Sequence, residues 1–179
     1  MDQPTKPSTD PRPWFPDDEL ESDLASLPIH ILVADDDDAT RMLLERALKN
    51  LGYRVTAVPD GARAWDALQD FDDLPQLALL DWMMPILDGP ELCRRLKARG
   101  TPFIFTILLT ARTSENDVVL GLEAGANEFL SKPFDIHVLA ARVAAGARIV
   151  RLEQRLTIKS EVLKEYAEKL ERLSRDKPR

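Results

Sequence analysis

Apolar residues recur along this chain in two rhythms. From Ile29 onward, short unbroken apolar runs alternate with stretches whose apolar positions fall three and four residues apart. Ile29–Ala34 (IHILVA) is bounded by Pro28 and by the aspartates at 35–38. A brief continuous run of this kind predicts a strand buried on both faces. In the following ATRMLLERALKNL, Met42, Leu43, Ala47, Leu48 and Leu51 fit helical spacing, with Asp38 as cap and Gly52 as stop. Tyr53–Val58 reads as a second strand and Asp60–Gln69 as a second helix. Leu77–Leu80 reads as a third strand, ending at Asp81, and a loop with Pro85 and Asp88-Gly89 leads to a third helix, Pro90–Ala98. Phe103–Leu109 is a fourth strand ending at Thr110, and residues 114–124 are a fourth helix. Asn127–Ser131 is a fifth strand, closed by Lys132-Pro133. A fifth helix starts near Asp135 and meets no clear stop before the 170s.

Strands this apolar, alternating with amphipathic helices, imply an α/β fold: a doubly wound parallel sheet covered on both faces. The 179 residues suit one domain with appendages, and 44% hydrophobic with 31% charged residues suits a globular core. Residues 1–27 differ. Five of the first sixteen are prolines, and Asp, Glu and Ser fill much of the rest. This predicts a disordered or loosely attached arm, in which Trp14 and Phe15 are either anchors or incidental. The expected division is an arm over 1–27, a body over 28–145 and a helical extension over 146–179.

Composition narrows the function further. No run approaches the ~20 apolar residues of a membrane span, and the N-terminus lacks the apolar core of a signal peptide. A cytoplasmic protein without a membrane partner is expected. The single cysteine, Cys93, excludes an internal disulfide and reads as a small apolar helix residue. Residues 142–179 carry a net charge of +5 and the remainder −12. An acidic body argues against a nucleic-acid face, and the basic tail is interleaved with acid, as in a solvated helix. Direct nucleic-acid binding is not expected.

In a doubly wound sheet the functional crevice lies beyond the carboxyl ends of the strands. Asp35 and Asp36 fall there from strand one, Asp81 from strand three, Thr110 from strand four and Lys132 from strand five. Three carboxylates in one pocket are costly unless a cation joins them. Oxygen ligands without His or Cys suit Mg²⁺. His30, within a strand, and His137, on a helix, read as structural or surface residues. A cation beside Asp81 would keep it ionised and neutralise an incoming phosphoryl group. Aspartate can form an acyl phosphate, Lys132 offers a flexible positive charge, and Thr110 a hydroxyl donor.

These residues resemble the receiver domains of two-component response regulators. The likeness runs through LVADD (32–36), LLDWMMPILDG (79–89), LLTAR (108–112) and GLEAGANEFLSKPF (121–134). Each motif is weak alone, and together in this order they are specific. The resemblance implies a flavodoxin-like sheet of order 2-1-3-4-5 and Asp81 as the phosphoacceptor. Asp35, Asp36, Asp81 and the backbone carbonyl of Met83 would hold Mg²⁺. Thr110 and Lys132 would contact the phosphoryl group. Phe129 would be the aromatic switch coupled to Thr110, and Lys132-Pro133 would be cis. The donor would be a sensor histidine kinase or a histidine phosphotransfer protein. Asp37 and Asp38 read as cap and solvent residues, Trp82 as a partly exposed loop aromatic, and Met83 and Met84 as packing residues. Val118, Leu120 and Val138 stand where related members often carry charges, which suggests a more apolar contact on that face.

The last helix carries Ile149, Leu152, Leu156, Lys159, Leu163, Tyr166, Leu170 and Leu173 at alternating steps of three and four. That is a heptad seam of about three and a half repeats, broken once at Lys159. A parallel homodimer through this helix is the simplest partner, and folding back onto the body is the alternative. The stalk resembles the linker of receiver-containing diguanylate cyclases. No helix-turn-helix or nucleotide-binding motif follows Leu173, so either the coil leads into a further module or it carries the signal itself. Two other functions compete. A haloacid-dehalogenase-like phosphatase would need a second aspartate at position 83, where Met83 stands. An unphosphorylated receiver-like scaffold would dimerise and do no chemistry.

Overall fold

The computed structural model describes residues 27–111 and 115–175. Its elements alternate throughout: β1 (His30–Ala34), α1 (Asp38–Asn50), β2 (Arg54–Val58), α2 (Gly61–Ala67), β3 (Leu77–Asp81), α3 (Gly89–Arg99), β4 (Phe105–Thr110), α4 (Glu115–Glu123), β5 (Glu128–Ser131) and α5 (Ile136–Arg175). The five strands form one sheet in the order β2-β1-β3-β4-β5, and every pairing is parallel. Two compact units divide the described chain. Leu27–Glu153 forms one, and the other contains α5 from Gln154 onward.

Side-chain alternation along the strands builds two cores, one on each face of the sheet. Ile31, Val33, Leu77, Leu79, Ile107 and Leu109 point to one side, where Leu44 and Leu48 of α1 and Leu139, Val143 and Val150 of α5 cover them. Leu32, Ala34, Ala78, Leu80 and Leu108 point to the other side, where Ala64 of α2, Leu92, Cys93 and Leu96 of α3 and Ala124 after α4 close the layer. Each fully buried leucine contributes about 2 kcal/mol of transfer free energy. Both faces are covered, which is why β1, β3 and β4 read as unbroken apolar runs.

Two local expectations are corrected. The cap of α1 is Asp37, whose Oδ2 accepts from the Thr40 backbone N–H at 2.8 Å; Asp38 is the first helical residue. On α1 the buried positions are Leu44 and Leu48, whereas Met42, Leu43 and Leu51 are exposed. Three adjacent apolar residues, Met42-Leu43-Leu44, fit more than one helical stripe. Docking against β1 and β2 selects the Leu44–Leu48 line. Cys93 is buried in α3, where desolvation pushes its thiol up to about 12. His30 is also buried and structural. Its ring nitrogens lie 2.8 Å from Thr56 Oγ1 and 2.7 Å from an Arg54 guanidinium nitrogen.

Candidate phosphoryl-accepting site

The carboxyl end of the sheet is built by strand geometry alone. β1 ends at Ala34, so Asp35 is the first residue past it, and the Asp35 backbone N–H is held by the Val58 carbonyl at 3.2 Å. β3 ends on Asp81 itself, and β4 ends on Thr110, which is buried. β5 ends at Ser131, and the next residue, Lys132, donates its backbone N–H to the Thr110 carbonyl at 2.6 Å. Lys132-Pro133 is cis, as expected.

These termini bring three side chains together. Lys132 Nζ lies 2.8 Å from Asp35 Oδ2 and is also hydrogen-bonded to Asp81 Oδ1. Backbone donors hold the other carboxylate oxygens. The Asp37 N–H reaches Asp35 Oδ1 at 3.0 Å, and the Met83 N–H reaches Asp81 Oδ2 at 2.9 Å. Asp35 is fully buried and Asp81 nearly so. Desolvation raises the Asp81 carboxyl above its ordinary range. Hydrogen bonding and charge from Lys132 pull against that shift, and the nearby Asp35 adds to it. Burial pushes the Lys132 ammonium down, but Asp35 and Asp81 outweigh it and hold the lysine above its ordinary value.

Asp36 stands apart from this triad. It is exposed and lines an adjoining open cleft of about 560 Å³ with Trp82, Met83, Met84, Pro85 and Asp88. Among the described residues no three His, Cys, Asp or Glu side chains form a group that could hold a metal. The expected convergence of three carboxylates is therefore looser than the sequence suggested. Lys132 spans two of them, and Asp36 faces the cleft beside them. The donor chemistry still fits Mg²⁺. The available atoms are all oxygens, and a desolvated carboxylate with a raised pKa gains from a nearby cation. The side chain of Met83 corrects another expectation. It is 63% exposed rather than packed, while Met84 is buried. Trp82 and Phe129 are half-buried against the second core.

The loop after β3 is pressed tightly to the sheet. A Cβ on Gly89 would fall 2.4 Å from the Asp81 carbonyl oxygen and 2.7 Å from Leu108 Cδ2. A Cβ on Gly61 would fall 1.9 Å from the Leu87 carbonyl oxygen. Only glycine fits at either contact. Asp88, expected only as a turn residue, caps α3 by accepting from the Glu91 N–H at 2.7 Å. The acidic residue three positions after Asp88 was the available signal for that cap.

Of the residues expected at the helix surfaces, Leu120 and Val138 are exposed, and the side chain of Val118 lies outside the described residues. Along the seam of α5, Ile149, Leu152, Leu156 and Leu163 are exposed and Tyr166 is half-buried, while the side chains of Leu170 and Leu173 lie outside the described residues. No helix among the described residues is long and apolar enough to cross a membrane.

Comparison with known proteins follows the same outline. The response regulator receiver domain family matches residues 31–144. The chain is 46% identical over 119 residues to the transcriptional regulatory protein CseB of Streptomyces coelicolor, covering 66% of this chain and 49% of CseB. It is 42% identical over 127 residues to the response regulator MprA of Mycobacterium ulcerans, covering 71% and 53% of the two chains. The chain thus spans about half the length of these curated relatives. Among solved structures, a putative response regulator from Chloroflexus aurantiacus superposes with a TM-score of 0.61 at 33% identity, covering 67% of this chain and 98% of the other. The BeF3-activated receiver domain of DrrB gives a TM-score of 0.61 at 30% identity, covering 68% and 99%.

Proposed function

The chain belongs to the response regulator receiver family, and from that premise we propose that it is a switch operated by phosphorylation of Asp81. The observation that carries this reading is the buried Asp81 carboxylate at the end of β3, joined to Asp35 through the Lys132 ammonium. The donor is a sensor histidine kinase or a histidine phosphotransfer protein. An Asp81 oxygen attacks phosphorus, the N–P bond to the donor histidine breaks as the O–P bond forms, and the freed imidazole takes up a proton. Asp35, Asp36, Asp81 and the Met83 carbonyl would hold Mg²⁺, which when bound supplies positive charge against the phosphoryl oxygens.

The chain's own residues do the rest. Lys132 already points at Asp81 and follows the new charge as a flexible cation. Thr110, at the end of the neighbouring strand, donates its hydroxyl to a phosphoryl oxygen. Its movement frees space for Phe129, and the two residues shift a pre-existing two-state equilibrium. The output is carried in part by α5. Its seam, Ile149, Leu152, Leu156, Leu163, Tyr166, Leu170 and Leu173, pairs with the same seam of a second copy in a parallel coil. The exposure of Leu156 (54%) and Leu163 (60%) supports a partner on that stripe.

Intact mass after incubation with acetyl phosphate and Mg²⁺, beside Asp81→Asn, tests the phosphoryl step. One added phosphoryl group in the wild type and none in the variant is the expected result. Uptake by both, or by neither, would turn the reading toward an inert scaffold.

A further inference from the structure

The C-terminal helix carries a second line of residues that its heptad seam does not explain. Beside the seam stand Arg155, Ile158, Val162 and Lys169, spaced three, four and seven apart and so on one face of α5. Ile158 and Val162 are half-buried, although the seam residues Leu156 and Leu163 are more than half exposed. Paired apolar residues flanked by cations describe a surface for an acidic amphipathic segment.

This chain contains such a segment. Residues 17–23 (DDELESD) hold five acidic residues, and Leu20 and Leu24 are spaced four apart. The arm over 1–27 has a net charge of −5, against +5 over 142–179. Its exit point is also suited to the contact. The Leu27 carbonyl accepts a hydrogen bond from the Arg151 guanidinium at 3.2 Å, one helical turn before Arg155. Extended chain covers ~3.3 Å per residue, so Leu24 and Leu20 reach about 10 and 23 Å from Leu27. A helix rises ~1.5 Å per residue, so Ile158 and Val162 lie about 10 and 16 Å beyond Arg151. Both positions are within the arm's reach.

We propose that the acidic arm segment Asp17–Leu24 docks, within its own chain, on the Arg155–Ile158–Val162–Lys169 line of the C-terminal helix. Leu20 and Leu24 cover the apolar pair, and the carboxylates meet the flanking cations. The seam remains available to a second copy, so the arm braces the coil instead of competing with it. This contact does not depend on the phosphoryl reading.

Hydrogen–deuterium exchange on the full chain tests the proposal. A variant with Asp17→Lys, Asp18→Lys, Glu19→Lys and Glu21→Lys leaves the body untouched. Its amides over 155–166 are expected to exchange several-fold faster than in the wild type, and adding Arg155→Glu with Lys169→Glu to it is expected to restore protection. Protection in the wild type is expected to weaken in high salt, because these pairs are at the surface. Carbodiimide coupling on a mixture of isotopically light and heavy chains gives the second measurement. Arm carboxylates are expected to form amides with Lys159 or Lys169 of the same chain. Exchange indifferent to charge reversal, coupling spread equally to Lys49 and Lys97, or coupling only between light and heavy chains would each overturn the proposal.

Discussion

Asp81 is a single residue whose burial costs stability. Burial raises its carboxyl pKa, and Lys132 offsets this only in part. The folded state therefore holds the Asp81 proton more tightly than the unfolded state does. No penalty exists at pH below the unfolded carboxylate value of ~4; the penalty grows as pH rises above that value and is complete once pH passes the raised folded value. Asp81→Asn is expected to melt at a higher temperature than the wild type at pH 7, with the difference shrinking as pH falls toward about 4. Thermal unfolding followed by circular dichroism at both pH values checks this. A variant that melts no higher at pH 7 would mean that Lys132 fully neutralises the cost. At the same scale, Ile86 holds a left-handed backbone conformation (φ 74°) in the loop that follows Asp81, a strained state for a β-branched residue.

At the scale of elements, the geometry of the candidate site depends on how closely the β3–α3 loop lies on the sheet. Gly89 opens α3, and its missing side chain lets the helix start against the Asp81 carbonyl and Leu108. Gly89→Ala puts a methyl group where a backbone oxygen stands. A shift there moves the end of β3, which carries Asp81, the proposed phosphoacceptor. The expected loss is roughly 1–3 kcal/mol of unfolding free energy, read from the midpoint of urea denaturation, with slower phosphoryl uptake. A midpoint equal to that of the wild type would show that the loop yields freely. The capping residues are similarly local. Asp37, Asp60 and Asp88 each open a helix by accepting from a backbone N–H three residues on.

For the molecule as a whole, the prediction concerns assembly. An exposed heptad stripe on a 40-residue helix is stable in water only if a partner covers it or polar neighbours dilute it. Each seam leucine that a second copy buries contributes about 2 kcal/mol. Leu156→Asp with Leu163→Asp is expected to reduce the mass measured by light scattering from dimer to monomer, with the body's fold unchanged. A dimeric mass that persists in the double variant would move the interface off this helix, and the exposed Leu120 and Val138 on the body would be the next surface to alter.

The sequence by itself determined the alternation of strands and helices, and with it the five positions at strand ends. Short apolar runs alternating with amphipathic stretches read as strands of a covered parallel sheet, and the residue after each run then falls at its rim. Asp35, Asp81, Thr110 and Lys132 were legible for that reason. Three features were decided by tertiary structure. Which of Met42, Leu43 and Leu44 lies inward depended on docking against β1 and β2, because local periodicity allows more than one stripe. That Lys132 bridges Asp35 and Asp81, while Asp36 faces the neighbouring cleft, depended on the relative heights of three strands from distant parts of the chain. The exposure of Met83 beside the buried Met84 depended on a loop path set by glycine contacts at 61 and 89. Hydrophobic periodicity is local and can be read from neighbours along the chain, whereas the meeting of charged groups from separate strands exists only once the sheet has assembled.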